Sequence, residues 1–237
     1  MANSYFQFKQ FRIEQDRCAM KMGTDAVILG ALAHLGNAKI ILDIGTGTGV
    51  IALMLAQRFP DARVHGVEIE AQAFSQAAQN FRKSPWNDRM EIFHAAFQDY
   101  SKSHSKKYDL IVSNPPYFSN QLKSSNARKN WARHDDQLSL KDLLGVWQLL
   151  SEEGLFWLIL PLREMRLFRD LAGQSGFSLQ HEYLIRDRSG VNPHREICSF
   201  GKRDQYPKTS GEIILKQASG QADSSYRELL KNFLLHF

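Results

Sequence analysis

From about residue 39 onward, short apolar runs alternate with stretches whose apolar positions recur at helical spacing. Lys39–Ile44 (KIILDI), Arg63–Glu68 (RVHGVE), Met90–His94 (MEIFH), Asp109–Ser113 (DLIVS) and Gly154–Leu160 read as strands. A helical pattern runs through Phe59, and others cover Ala71–Arg82, Leu138–Leu150 and Arg163–Ala172. Doubly apolar strands alternating with helices predict a parallel sheet covered on both faces. After that the rhythm changes. Phe177–Arg186 and Arg195–Phe200 are joined only by the loop Asp187–His194, which holds the turn formers Gly190, Asn192 and Pro193. Two strands without an intervening helix predict that one runs antiparallel. Residues 207–237 then carry a short strand, Glu212–Leu215, and an amphipathic helix presenting Tyr226, Leu229, Leu230, Phe233 and Phe237 on one face. Ser225 and Glu228 have the spacing of a capping box. The stripe predicts packing on the core in preference to dimerisation.

Composition narrows the class without naming a function. With 237 residues, 43% of them hydrophobic, the chain can bury a core and is not wholly disordered. No uncharged apolar run approaches the ~20 residues that span a bilayer, and no signal-like leader opens the sequence, so a soluble cytoplasmic protein is expected. Cys18 and Cys198 are the two cysteines, too few for a disulfide framework or a cysteine zinc site. The formal charge of +5 permits a polyanionic partner and does not require one.

Two motifs carry chemistry. Asp43-Ile44-Gly45-Thr46-Gly47-Thr48-Gly49 leaves a strand and opens a helix, where glycines allow a tight turn and close approach of a ligand to the backbone. Its spacing departs from the dinucleotide fingerprint, and no Lys-Ser/Thr pair follows to bind a triphosphate. Glu68 ends the next strand, where a carboxylate can accept both hydroxyls of a ribose diol. Each feature alone also suits a plain strand-to-helix connection or a solvated strand end; in series they predict a nucleoside-cofactor site. Asn114-Pro115-Pro116-Tyr117 directly follows the strand Leu110–Val112. Consecutive prolines stiffen that turn at the carboxyl edge of the sheet, where open α/β folds hold ligands. The Asn114 side-chain oxygen and the Pro115 carbonyl are two acceptors for an NH₂ group, and Tyr117 offers a stacking ring.

Taken in this order, Asp43–Gly49, Glu68 and Asn114–Tyr117 resemble the class I S-adenosylmethionine-dependent methyltransferases that methylate an adenine or glutamine amino group. Arg17–Gly30, Ala132–Leu144 and the YRELL helix are similar, more narrowly, to the bacterial tRNA (adenine-N6) methyltransferases that modify adenine 37 of a valine tRNA. The resemblance implies a Rossmann-like α/β fold, with a seven-stranded, mostly parallel sheet, one antiparallel strand and helices on both faces. It implies a cofactor-covering segment at 1–38, a methyltransferase core at 39–206 and a strand–helix extension at 207–237. It also implies S-adenosylmethionine as cofactor, no metal, a tRNA substrate, no membrane partner and a monomer.

The same resemblance distributes roles. Gly45 and Gly47 meet the cofactor's amino-acid part, Asp43 orients its amino group and Glu68 holds the ribose. Ile69 and Phe97 flank the cofactor's adenine, and Thr24 and Asp25 belong to the covering segment; Thr24 equally suits the cap of a helix through Leu35. Asn114, Pro115 and Tyr117 hold the target base, and Asn114 also borders the cofactor. Relatives often carry an acid after the third strand, where this chain reads Ala95-Ala96-Phe97. Residues 118–134 hold Lys123, Arg128, Lys129 and Arg133 with no acid, and suit a phosphate-gripping loop as well as a solvated one. Methylation of a protein glutamine, or of adenine in ribosomal RNA or DNA, stays open, as does a non-catalytic binding module.

Overall fold

The computed structural model describes residues 4–18, 21–116, 138–202 and 207–237. Its centre is one eight-stranded sheet built from β3 (Ile40–Ile44), β4 (Arg63–Glu68), β5 (Met90–His94), β6 (Tyr108–Ser113), β7 (Leu150–Leu160), β8 (Ser178–Arg188), β9 (Arg195–Gly201) and β10 (Thr209–Lys216). The spatial order is β10-β8-β9-β7-β6-β3-β4-β5. β9 runs antiparallel to both its neighbours, and every other pairing in this sheet is parallel. The expected single antiparallel strand is therefore present. The eighth strand is the difference: β10 joins the sheet edge in parallel with β8, from Thr209 against His181 to Lys216 against Arg188.

Strand alternation sorts the core into two layers. Ile41, Leu110, Val112, Trp157 and Ile159 point to one face, beneath α1 (Thr24–Leu32) and α2 (Val50–Arg58). Leu42, Ile44, Ile111, Phe156 and Leu158 point to the other, against Phe97 and Tyr100 of α4 (Phe97–Ser103). There Met165 and Phe168 come from α6 (Leu162–Gln174). α3 (Ala71–Lys83) buries a stripe of Ala73, Gln76, Ala77, Asn80 and Phe81 at helical spacing. Leu138–Leu150, read as helical, contains a 3-10 turn at Asp142–Gly145 and a single helical turn, α5 (Val146–Leu149), before β7 begins.

Two short strands, β1 (Tyr5–Gln7) and β2 (Arg12–Glu14), form a separate hairpin. It docks on the C-terminal segment: Phe8 bridges to Leu234, and the Lys9 amide donates to Phe233 O at 2.8 Å. In α7 (Ser224–Leu230) the cap is Asp223, whose carboxylate accepts the Ser225 amide, so the cap lies two residues before the expected Ser225. The stripe of α7 packs inward, with Leu230 and Phe233 buried and Tyr226, Leu229 and Phe237 against the same core. α1 starts at Thr24 with Gly23 as its cap residue and ends at Leu32, so Thr24 is the first helical residue and supplies no side-chain cap.

The sheet's order reverses between β3 and β6: the chain proceeds outward through β4 and β5, then returns to the other side of β3. Crevices at such a reversal, outside the carboxyl ends of the strands, are where open α/β sheets bind ligands. Asp43–Gly49 and Asn114 leave from these two adjacent strands.

Candidate active site

The glycine loop is shaped by backbone geometry. Gly45, Gly47 and Gly49 sit at φ of +67°, +57° and +85°, a region costly for residues with a Cβ. A Cβ on Gly49 would lie 2.6 Å from the Phe81 ring, so this position is glycine for packing. On Gly45 or Gly47 it would meet nothing within 4 Å. The Gly45 and Thr46 amides donate to Val67 O at 2.9 and 3.1 Å, tying the loop to the end of β4.

Asp43 anchors the loop from below. Its Oδ2 accepts the Thr46 hydroxyl at 2.6 Å and the Ala52 amide at 3.2 Å. Its Oδ1 is buried with no hydrogen-bond partner among the described residues. Burial pushes the carboxyl up to about 7; the Thr46 and Ala52 bonds oppose this, and the nearby Glu68 charge adds to it. Glu68 is 8% exposed. Its Oε2 accepts the Gly47 amide and its Oε1 the Glu70 amide, both at 2.9 Å. Each oxygen thus keeps a lone pair for a further donor while its position is set by backbone.

These groups border a cavity of about 400 Å³ whose wall includes Gly45, Gly47, Glu68, Ile69, Phe97, Asn114 and Pro116. Cys18, Glu70, Ala95, Ala96, Gln98 and Leu138 complete much of the rest. The wall is mostly apolar with a few convergent polar groups, the usual make-up of a small-molecule site. A wider depression of about 680 Å³ over the outer side of α3 touches neither the glycine loop nor Asn114.

Residues 20–138 match the methyltransferase small domain family. A tRNA1(Val) (adenine(37)-N6)-methyltransferase of Bacteroides fragilis (strain YCH46) is 43% identical over 237 residues, covering 99% of each chain. The enzyme of the same name from Pedobacter heparinus is 44% identical over 233 residues, covering 98% of each. This chain belongs to the tRNA1(Val) (adenine(37)-N6)-methyltransferase family. A predicted O-methyltransferase from Agrobacterium tumefaciens superposes with a TM-score of 0.65 at 20% identity, covering 88% of this chain and 96% of that one. At that identity the likeness speaks for the fold, that of the class I methyltransferases.

In this methyltransferase the sequence-derived site residues fall in different places. Gly45, Gly47, Glu68, Ile69, Phe97 and Asn114 come together on one cavity wall. Asp43 lies directly behind that wall, fully buried. Thr24 and Asp25 sit in the first turn of α1, not among the described lining residues, and Asp25 instead pairs with Arg195 at 2.8 Å. Pro115 lies between the wall residues Asn114 and Pro116. Tyr117, Lys123, Arg128 and Arg133 lie outside the described residues.

Three wall residues with polar or ionisable side chains, Glu70, Gln98 and Cys18, are not among the site residues expected from the sequence. Glu70 caps α3 by accepting the Gln72 and Ala73 amides, a role signalled by an acid just before a helical stripe. Gln98 donates its Nε2 to Asp142 Oδ2 at 3.2 Å. Cys18 arrives from the segment after β2; burial, with the charges of Glu70, Glu68 and Asp16, pushes its thiol up to about 11.

The residues fit an adenosyl amino acid. The orphaned Asp43 Oδ1 suits an ammonium group, the empty volume above Gly45 and Gly47 accepts a chain lying against backbone, and the Glu68 lone pairs suit a diol.

Proposed function

We propose that this enzyme binds S-adenosylmethionine in the cavity and methylates the exocyclic amine of adenine 37 in a valine tRNA. The reading rests on one observation above the others: the glycine loop, Glu68 and Asn114, far apart in sequence, line a single cavity. The pattern of a full-length relative with that specificity supports the substrate.

When bound, the cofactor supplies an electrophilic methyl group on a sulfonium. Asp43 Oδ1 accepts the ammonium of its amino-acid part, directly or through water, and Glu68 accepts its ribose hydroxyls. Ile69 and Phe97 flank its adenine. Gln98 Nε2 is committed to a carboxylate, which accepts only, so Gln98 Oε1 is the acceptor available where the chain lacks an acid. Asn114 Oδ1 and the Pro115 carbonyl accept the two N–H bonds of the target amine. An adenine amine is a weak nucleophile because its lone pair is shared with the ring; two acceptors favour its pyramidal form and stabilise the positive charge that develops on nitrogen. Tyr117 stacks on the extruded base, and the proton leaves for solvent after transfer. Lys123, Arg128 and Arg133 grip the phosphate backbone, since base extrusion needs the flanking strand held. In this reading residues 39–206 are the transferase core, 1–38 cover the cofactor and 207–237 are a packed extension of a cytoplasmic monomer.

Labelled S-adenosylmethionine incubated with unmodified valine tRNA, the same tRNA carrying guanine at position 37, ribosomal RNA, DNA and a protein extract tests the reading. Label is expected in the first substrate alone. Label confined to protein would move the enzyme to glutamine methylation.

A further inference from the structure

α3 carries two amides where its apolar stripe should be uninterrupted. Gln76 is 0% and Asn80 1% exposed, and both sit among Ala73, Ala77 and Phe81. A buried amide is costly unless its groups are bonded, so what they bond is informative. Asn80 Oδ1 accepts the Glu14 amide at 3.0 Å, while Nδ2 donates to Glu14 O at 3.0 Å and Thr48 O at 2.8 Å. Its orientation is settled by chemistry, since one side faces an N–H and the other two carbonyls. Asn80 thereby joins two backbones far apart in sequence, the N-terminal segment at Glu14 and the glycine loop at Thr48. One turn earlier, Gln76 Oε1 accepts the Arg17 amide at 3.1 Å. Between them the amides hold residues 14–17, and the next residue, Cys18, forms part of the cavity wall.

We propose that Asn80 is a positioning residue that locks the N-terminal strap, residues 14–18, to the glycine loop and so sets how tightly the cofactor is retained. The inference rests on the cofactor reading above. Asn80 touches no part of the cavity; it acts through the two segments that do. Gln76 bonds the strap and its helix neighbour Gln79 but not the glycine loop, which makes it the natural comparison: losing it frees the wall at Arg17 and Cys18 while Thr48 stays held. The Asn80 side chain bonds Glu14 and Thr48 and not Asn114, so the chemical step is spared.

The test uses the full chain and its Asn80→Ala and Gln76→Ala variants. S-adenosylhomocysteine affinity is measured by calorimetry, kcat and KM for S-adenosylmethionine by methyl transfer, and Cys18 alkylation by iodoacetamide with mass-spectrometric readout. Cys198, fully buried, is the internal control. Asn80→Ala is expected to raise both Kd and KM about tenfold, the equivalent of roughly one net hydrogen bond, with kcat within about twofold. Its Cys18 should alkylate faster in the free enzyme and still be protected by S-adenosylhomocysteine. Gln76→Ala should speed alkylation with a smaller rise in Kd. Should Asn80→Ala not fold, Asn80→Ser carries the same expectations. A lowered melting temperature with unchanged Kd and unchanged Cys18 alkylation would overturn the proposal, leaving Asn80 as ordinary packing. Failure of the parent protein to bind S-adenosylhomocysteine would instead sink the cofactor reading, which the alkylation rates of the free enzymes do not depend on.

Discussion

If Asp43 holds the cofactor's ammonium as proposed, cofactor binding is a proton-linked event of calculable size. The carboxyl is fully buried, one oxygen lacks a partner among the described residues, and its pKa rises from 3.8 to about 7. A cation at Oδ1 binds the ionised form and pulls that pKa back down, so binding below pH 7 must expel a proton. Between pH 7 and 5.5 an α-ammonium stays protonated, while the ionised fraction of Asp43 falls from about one half to about three hundredths. S-adenosylhomocysteine should therefore bind about fifteenfold more weakly at pH 5.5 than at pH 7. Calorimetry in buffers of different ionisation enthalpy should report release of nearly one proton at the lower pH. Asp43→Asn should bind weakly and lose the pH dependence. The sign for stability is opposite. A raised folded-state pKa stabilises below the unfolded value and loses that contribution as pH rises through about 7. Without cofactor, Asp43→Asn should thus melt higher than the parent at pH 8, with a ceiling of about 4 kcal/mol set by the shift of about three units. A Kd that stays flat from pH 7 to 5.5 with no proton release would refute the assignment of Asp43 to the cofactor's ammonium.

Asn114→Ala should cut methyl transfer by a factor of about 100 or more while S-adenosylhomocysteine affinity changes only a few-fold, because its acceptor acts mainly as charge develops; equal losses in both would return Asn114 to cofactor binding alone. Gly49→Ala should destabilise folding by about 2 kcal/mol, since its Cβ would lie 2.6 Å from Phe81, as read by urea denaturation. Gly47→Ala should cost less stability but about tenfold in cofactor affinity, because its Cβ enters open cavity. Burial lowers His65 and His181 from 6.5 to about 4, so their neutral forms support the fold fully above about pH 6.5 and that support is lost as pH falls through 4. Melting curves should show His65→Gln with a shallower loss of stability across that window; an unchanged slope would place the acid sensitivity elsewhere. Replacing Lys123, Arg128 and Arg133 together should lower tRNA affinity and reduce the slope of log K against log salt by about two to three.

Local pattern carried the centre of the molecule and faded towards its margins. β3, β4 and β6 are mostly buried apolar runs and the edge strand β5 a short apolar-polar alternation, so their lengths and order are legible in the sequence, and so is the series from the glycine loop through Glu68 to Asn114. β10 was read as part of an appended tail because its eight residues alternate weakly; what places it in the sheet is a long-range edge pairing with β8 that no local period encodes. The β1–β2 hairpin escaped for the same reason, its strands being three residues each. Asp25 carried a cofactor expectation on resemblance, whereas its ion pair with Arg195 depends on a neighbour 170 residues away. Gln76 and Asn80 were readable in principle: two amides inside an otherwise apolar helical stripe mark polar partners in the interior.

The docking of the β1–β2 hairpin on the C-terminal segment bears on how the enzyme comes into being. Lys9 donates to Lys231 O, a contact 222 residues apart along the chain, and Phe8 pairs with Leu234. During synthesis, domains condense from the N-terminal side as the chain emerges. The sheet strands that carry Asp43, Glu68 and Asn114 leave the ribosome long before residues 231–234, while the hairpin that leads into the strap waits for them. A nascent chain can therefore own every residue of the proposed site, and the Asn80 and Gln76 bonds to residues 14–17, while the outer end of the hairpin still lacks its partner, so the N-terminal segment is the first made and the last to be fully seated.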